Sequence, residues 1–241
     1  MPAALDDLER EIVSCRACPR LVAWREEVAT TRRAAFRDQS YWGRPVPGFG
    51  DPAARVAVVG LAPAAHGGNR TGRVFTGDRS GDWLFAALHR SGFANQPTST
   101  DRDDGLVLNR AWVSAAVRCA PPANKPTTAE RDRCLSFLRR ELDLLADVVV
   151  LVALGGFGWD ACCRLEGLAP KPAFGHGAEA ALTGGRTLLG CYHPSQQNTF
   201  TGRLTEAMLD GVLQRAAALA GTDVEVRPDR TLRPRRRQLG G

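Results

Sequence analysis

The sequence predicts an α/β fold, a three-layer α/β/α sandwich around a central four-stranded parallel sheet. Three observations predict it. Short apolar runs alternate with longer stretches of helical periodicity, in the order β-α-β-α-β-α-β-α. The runs RVAVVG, AWVSAAV, VVVLVAL and RTLLGC carry almost no charge inside, as strands covered on both faces do. The polar, turn-rich loops follow these runs, and in such sheets ligands bind beyond the carboxyl ends of the strands.

The elements follow in order. Leu5, Leu8 and Ile12 recur at helical spacing, so 4–14 is a short amphipathic helix ending at Cys15. Residues 25–50 lack clear periodicity and end in Gly/Pro turns. They read as an extended connector, helical at most at its start. Residues 55–60 are the first strand. A helix over 80–90 turns Trp83, Leu84, Ala87 and Leu88 inward. Residues 111–117 are the second strand. Thr127-x-x-Glu130 after Pro126 is a capping box that opens a helix reaching about residue 146. A third strand at 148–154, a helix at 158–165, a fourth strand at 186–191 and a last helix at 204–219 complete the pattern. No repeat or second domain is visible. Residues 1–226 read as one domain.

Composition bounds the function. A chain of 241 residues builds a substantial core. Its longest apolar run, 148–154, is too short to cross a bilayer, and acidic residues at the N-terminus argue against a signal peptide. The expectation is a cytoplasmic monomer with no membrane partner. The net charge of +6 is concentrated: residues 227–241 hold six arginines and one aspartate, a net +5. That tail reads as disordered and suited to non-specific phosphate contacts.

Seven cysteines, an odd number, do not suggest a disulfide framework. Four of them fall into two pairs. Two residues separate Cys15 from Cys18, and fourteen separate Cys119 from Cys134. Four such thiolates suit zinc or an iron–sulfur cluster, and the spacing alone does not choose between them. Cys162, Cys163 and Cys191 sit in apolar segments and read as small buried hydrophobes.

Two loops carry candidate chemistry. The loop from Gly60 to Asp78 is built of glycine and small residues that let backbone approach a ligand, yet it matches neither phosphate-binding fingerprint. Its last residue, Asp78, stands where an acid ordinarily caps a helix. The fourth strand runs into His193-Pro-Ser-Gln-Gln-Asn198, where proline restrains a histidine able to donate to a substrate oxygen. His66 and His176 are further candidates to line a pocket.

Taken together, G-L-A-P-A (60–64), T-G-R-V-F-T-G-D (71–78), C-A-P-P-A-N-K-P (119–126) and H-P-S-Q-Q-N (193–198) resemble the iron–sulfur uracil-DNA glycosylases, most closely their fifth type. The resemblance spans about 12–215 and includes all four paired cysteines. It implies a [4Fe–4S] cofactor on Cys15, Cys18, Cys119 and Cys134, which decides against zinc. It implies that Phe75 stacks on a flipped base, that Asn124 reads it with Ala62 and Ala64 beside it, and that Asp78 and His193 are catalytic. It places Ser195, Gln196, Gln197, Asn198 and Arg203 against DNA. Where a sister type has polar residues, this chain has Leu61 and Ala115, which implies excision of hypoxanthine or xanthine as well as uracil. With only Lys125 and Lys171 as amines, a monofunctional hydrolase is expected. A catalytically silent DNA-binding protein with a structural cluster, and an electron-transfer protein, are the competing readings.

Overall fold

The computed structural model describes residues 2–221; the arginine-rich tail lies outside the described residues. A six-stranded sheet forms the middle layer. Its strands are β1 (Phe49–Gly50), β2 (Val56–Gly60), β3 (Ala111–Ala115), β4 (Val150–Leu154), β5 (Glu179–Ala181) and β6 (Thr187–Cys191), in the order β1-β3-β2-β4-β6-β5. The inner four, β3-β2-β4-β6, are parallel, as the sequence predicts. The outer two are antiparallel additions. Each holds two or three residues, too few to leave a periodic signal.

Alternation along the inner strands divides the core. Val56, Val58, Val113, Val150 and Val152 face one layer, made by α4 (Arg79–Arg90) and α8 (Glu206–Leu219). Ala57, Val59, Leu151 and Ala153 face the other, made by α5 (Thr128–Leu144) and α6 (Gly155–Leu165). This two-residue period within fully buried strands is what a doubly covered sheet requires. The capping box is present: Thr127 Oγ1 accepts from Glu130 N and Glu130 Oε2 accepts from Thr127 N.

Two helices precede the sheet: α1 (Pro2–Ser14) and α2 (Pro19–Thr31). The stretch read over 25–50 is helical at its start, as allowed for, and the helix begins earlier, at Pro19. That helix buries Leu21, Val22, Arg25 and Val28. An arginine on the inward face broke the apolar periodicity that would have revealed it. Among the described residues no helix is long and apolar enough to cross a membrane.

Candidate active site

Four loops leave the carboxyl edge of the sheet and enclose a cleft of about 850 Å³. All of Ala62, Ala64, Phe75, Asp78, Asn124, His193, Ser195, Gln196, Gln197, Asn198 and Arg203 line it. His66 lines it too, whereas His176 does not. His176 stacks on Tyr192 with ring centroids 5.2 Å apart, and its Nδ1 accepts from Tyr192 N. The sequence reasoning missed Arg33, Phe36, Phe157 and Phe174, which also line it. Arg33 and Phe36 come from a stretch with no periodic pattern to mark it.

The loop after β2 is folded tightly around a buried arginine. Arg70 donates to His66 O, Gly77 O and Gln39 Oε1 and lies 4.2 Å over the Phe36 ring. A short helix, α3 (Gly68–Thr71), is wound into the same loop. Phe75 holds a left-handed backbone, φ 53°, uncommon for a bulky residue and worth a functional explanation. Its ring lies against Gly60, where any side chain would collide with it. The opposite neighbour is His193, centroid to centroid 5.8 Å.

Asp78 is the N-cap of α4: its Oδ1 accepts from Gly81 N at 3.0 Å. The ordinary capping role is thus real, but it occupies one oxygen. Oδ2 lies over Gly67, where a Cβ would strike it. Burial raises the Asp78 pKa, opposed by the backbone donors of Gly81 and Ser80. A carboxylate in a cleft, ionising later than usual and partly free of partners, is suited to acid–base or electrostatic work.

His193 is held by its backbone. Asn198 Nδ2 and Ser195 N both donate to its carbonyl, at 2.9 and 2.8 Å. Ser195 caps the short helix α7 (Gln196–Phe200). Asn198 and Ser195 therefore position the histidine as well as lining the cleft. Its Nδ1 is buried without a partner among the described residues, and burial pushes its pKa down to about 4. The imidazole is neutral at physiological pH, a donor or acceptor rather than a cation. A stability effect follows. The unfolded histidine takes its proton near 6.5 and the folded one near 4, so His193 stabilises the fold above 6.5 and that contribution is lost as pH falls toward 4. The urea midpoint should drop between about pH 7 and about pH 5 more in the wild type than in His193→Gln. Equal drops would contradict it.

Asn124 ends a 3-10 turn with φ 54°, exposed, its side chain without a partner among the described residues. Arg33, Arg79 and Arg203 ring the cleft, and among the described residues none has a carboxylate within ion-pair distance. Arg203 lies 4.7 Å over Tyr192 and Arg79 4.5 Å over Phe200, which is 65% exposed. Leu61 lines the cleft, but Ala115 is buried in the core, paired with Gly60, and supplies no wall.

The four paired cysteines assemble behind this cleft. Cys18, Cys119 and Cys134 share a buried apolar cluster, and half-buried Cys15 stands within electrostatic range of Cys119 and Cys134. Ala62 and Phe157 pack against that cluster and also line the cleft. Burial pushes the Cys119 thiol up to about 12, with the nearby Arg25 guanidinium opposing. Cys162, Cys163 and Cys191 are buried elsewhere, in the two main cores.

Comparison with known proteins agrees with this geometry. Residues 47–217 match the family described as the uracil DNA glycosylase superfamily. The chain is 59% identical over 220 residues to a type-5 uracil-DNA glycosylase of Mycobacterium tuberculosis, covering 90% of this chain and 82% of that one. It is 54% identical over 211 residues to the type-5 uracil-DNA glycosylase of Thermus thermophilus, covering 87% and 95%. It is 50% identical over 216 residues to that of Pyrobaculum aerophilum, covering 90% and 93%. On the family match and on these identities, this chain belongs to the type-5 branch of the uracil-DNA glycosylase superfamily.

Proposed function

We propose that the protein excises uracil from DNA as a monofunctional glycosylase, hydrolysing the bond between base and deoxyribose in base excision repair. The observation that carries this is the meeting of Asp78, His193, Phe75 and Asn124 in one arginine-rimmed cleft. Family membership supports it.

The chemistry follows from the residues. Base and sugar inside a duplex are out of reach, so the nucleotide must swing into the cleft. Phe75, fixed against Gly60 and beside His193, offers a stacking face for the extruded base. Bond breaking leaves positive charge on the sugar and negative charge on the base. Asp78, once ionised, stabilises the first or orients the attacking water. Neutral His193 donates to a base carbonyl and stabilises the second. Ser195, Gln196, Gln197, Asn198 and the unpaired arginines Arg79 and Arg203 meet the DNA backbone and groove, where cationic groups supply the salt-sensitive part of affinity. We read residues 1–226 as a single, monomeric domain acting in the cytoplasm.

A [4Fe–4S] cluster fits the four cysteines. All donors are sulfur, the site is apolar, and a buried arginine donates to one sulfur, as an anionic thiolate would require. Among the described residues no three groups converge tightly enough to hold a single ion. A lone zinc with bonds of about 2.3 Å would draw its sulfurs to within roughly 3.8 Å of each other. A larger cubane spreads them further apart. When bound, the cluster braces the N-terminal helices against the sheet.

The test is incubation with a uracil-containing duplex followed by alkali. Strand scission at uracil is expected. Tight binding without scission would instead favour a silent DNA-binding protein.

Specificity is expected to be broad. Leu61 is an apolar wall, and apolar walls reject a different base weakly, whereas sites built to hydrogen-bond reject strongly. Hypoxanthine should also be released from matched duplexes. Asn124→Ala should reduce uracil release more than hypoxanthine release, because the smaller base has fewer other contacts. Strict uracil activity would contradict this.

A further inference from the structure

Arg25 is among the most deeply buried charges outside the cleft, 2% exposed, in a helix face that otherwise buries leucine and valine. Deep burial of a guanidinium is costly unless an anion compensates it. Among the described residues the one carboxylate in ion-pair range is Glu26, a loose partner 3.8 Å away on the half-exposed rim. Instead Arg25 Nη1 donates to Cys119 Sγ at 2.9 Å, and Nη2 donates to Cys15 O at 3.2 Å. Among the described residues its Nε has no partner. The backbone carbonyl of Arg25 is fixed in turn by Asn69, fully buried in α3, whose Nδ2 donates to it at 3.2 Å. A second arginine approaches more loosely from α5: Arg133 Nη1 donates to Ala17 O at 2.8 Å and stands 3.9 Å from Cys18 Sγ.

A neutral thiol is a weak acceptor and would not justify a buried cation. A thiolate ligated to iron would, since four thiolates leave an iron–sulfur cluster with net negative charge. We propose that Arg25 is a positioning residue of the iron–sulfur site, donating an N–H···S hydrogen bond to cluster-bound Cys119 and offsetting the cluster's charge, so that it sets the reduction potential and holds the cluster in place. This rests on the cluster reading above. The physical basis is general: hydrogen bonds to cluster sulfurs and nearby positive charge favour the more negative, reduced state and so raise the potential. Arg25 also joins the cluster to the loop that carries Asp78, because Asn69 belongs to that loop.

The experiment is voltammetry on the intact, cluster-loaded protein, with the visible absorbance followed in air alongside. Arg25→Met keeps a flexible unbranched apolar stem and removes charge and donor. It should shift the potential to more negative values and bleach faster than the wild type. Arg25→Lys keeps the charge with a poorer donor geometry and should fall between the two. If Arg25→Met does not accumulate folded, the Lys variant carries the comparison, and its potential must still lie below that of the wild type. Unchanged potentials in a loaded variant overturn the role of Arg25 while leaving the cluster standing. Wild-type protein without iron and sulfide overturns both.

Discussion

Asp78→Asn should lower single-turnover uracil excision roughly 100- to 10,000-fold while leaving duplex binding nearly unchanged. The choice of asparagine matters. Asp78 caps α4 through Gly81 N, and asparagine caps about as well as aspartate, so the fold is preserved and only the carboxylate is lost. Asp78→Ala removes both and should add a stability loss of about 1 kcal/mol. The comparison separates the cap from the chemistry. A pH profile adds an independent check. Burial raises the Asp78 pKa, so the ionised form is lost on acidification at a higher pH than for an ordinary carboxylate. The acid limb of the rate profile should sit above the usual carboxylate range and vanish in Asp78→Asn. His193 cannot mimic it near neutrality, because its imidazole stays neutral down to about pH 4. Wild-type rates in Asp78→Asn would return Asp78 to capping alone.

What was legible in the sequence was local or strongly periodic. Val56–Gly60 and Val150–Leu154 read as buried strands because they are uninterrupted apolar runs, and Thr127 and Glu130 mark a helix start by their own chemistry. The loops at 61–79, 118–126 and 193–202 could be placed because they follow those strands. The start of α6 was hidden, because Gly155 and Gly156 read as loop, yet Gly155 begins the helix with φ 83° and leaves room beside His193. The first half of α2 was hidden because Arg25 interrupts its buried apolar face, and the partner of that arginine, Cys119, is 94 residues away. The edge strands exist only through pairing with β3 and β6. Arg33 and Phe36 enter the cleft through tertiary placement that no local pattern encodes.

Replacing Cys119 with alanine should damage folding more than chemistry. Cys119 lies just past β3, while Cys15 and Cys18 bracket the joint between α1 and α2. A cluster on these residues closes a loop of about a hundred residues, so its loss frees the N-terminal helices from the sheet. Weaker ties would remain: Arg20, itself exposed, holds buried Glu130, and Arg140 holds Glu11 in a solvent-exposed pair of the kind that contributes little to stability. The expected result is loss of brown colour and iron, a sharply reduced soluble yield and a much lower melting temperature. Cys162→Ala is the control. Cys162 is fully buried but packs in a separate core cluster as a small hydrophobe, and its loss should cost about 1 kcal/mol with iron retained. The soluble residue of Cys119→Ala should still excise uracil, since Asp78 and His193 are positioned by Gly81, Ser195 and Asn198 rather than by any cysteine. If Cys119→Ala kept its iron and melted with the wild type, the four cysteines would be four buried thiols, and the cleft would owe its shape to the sheet alone.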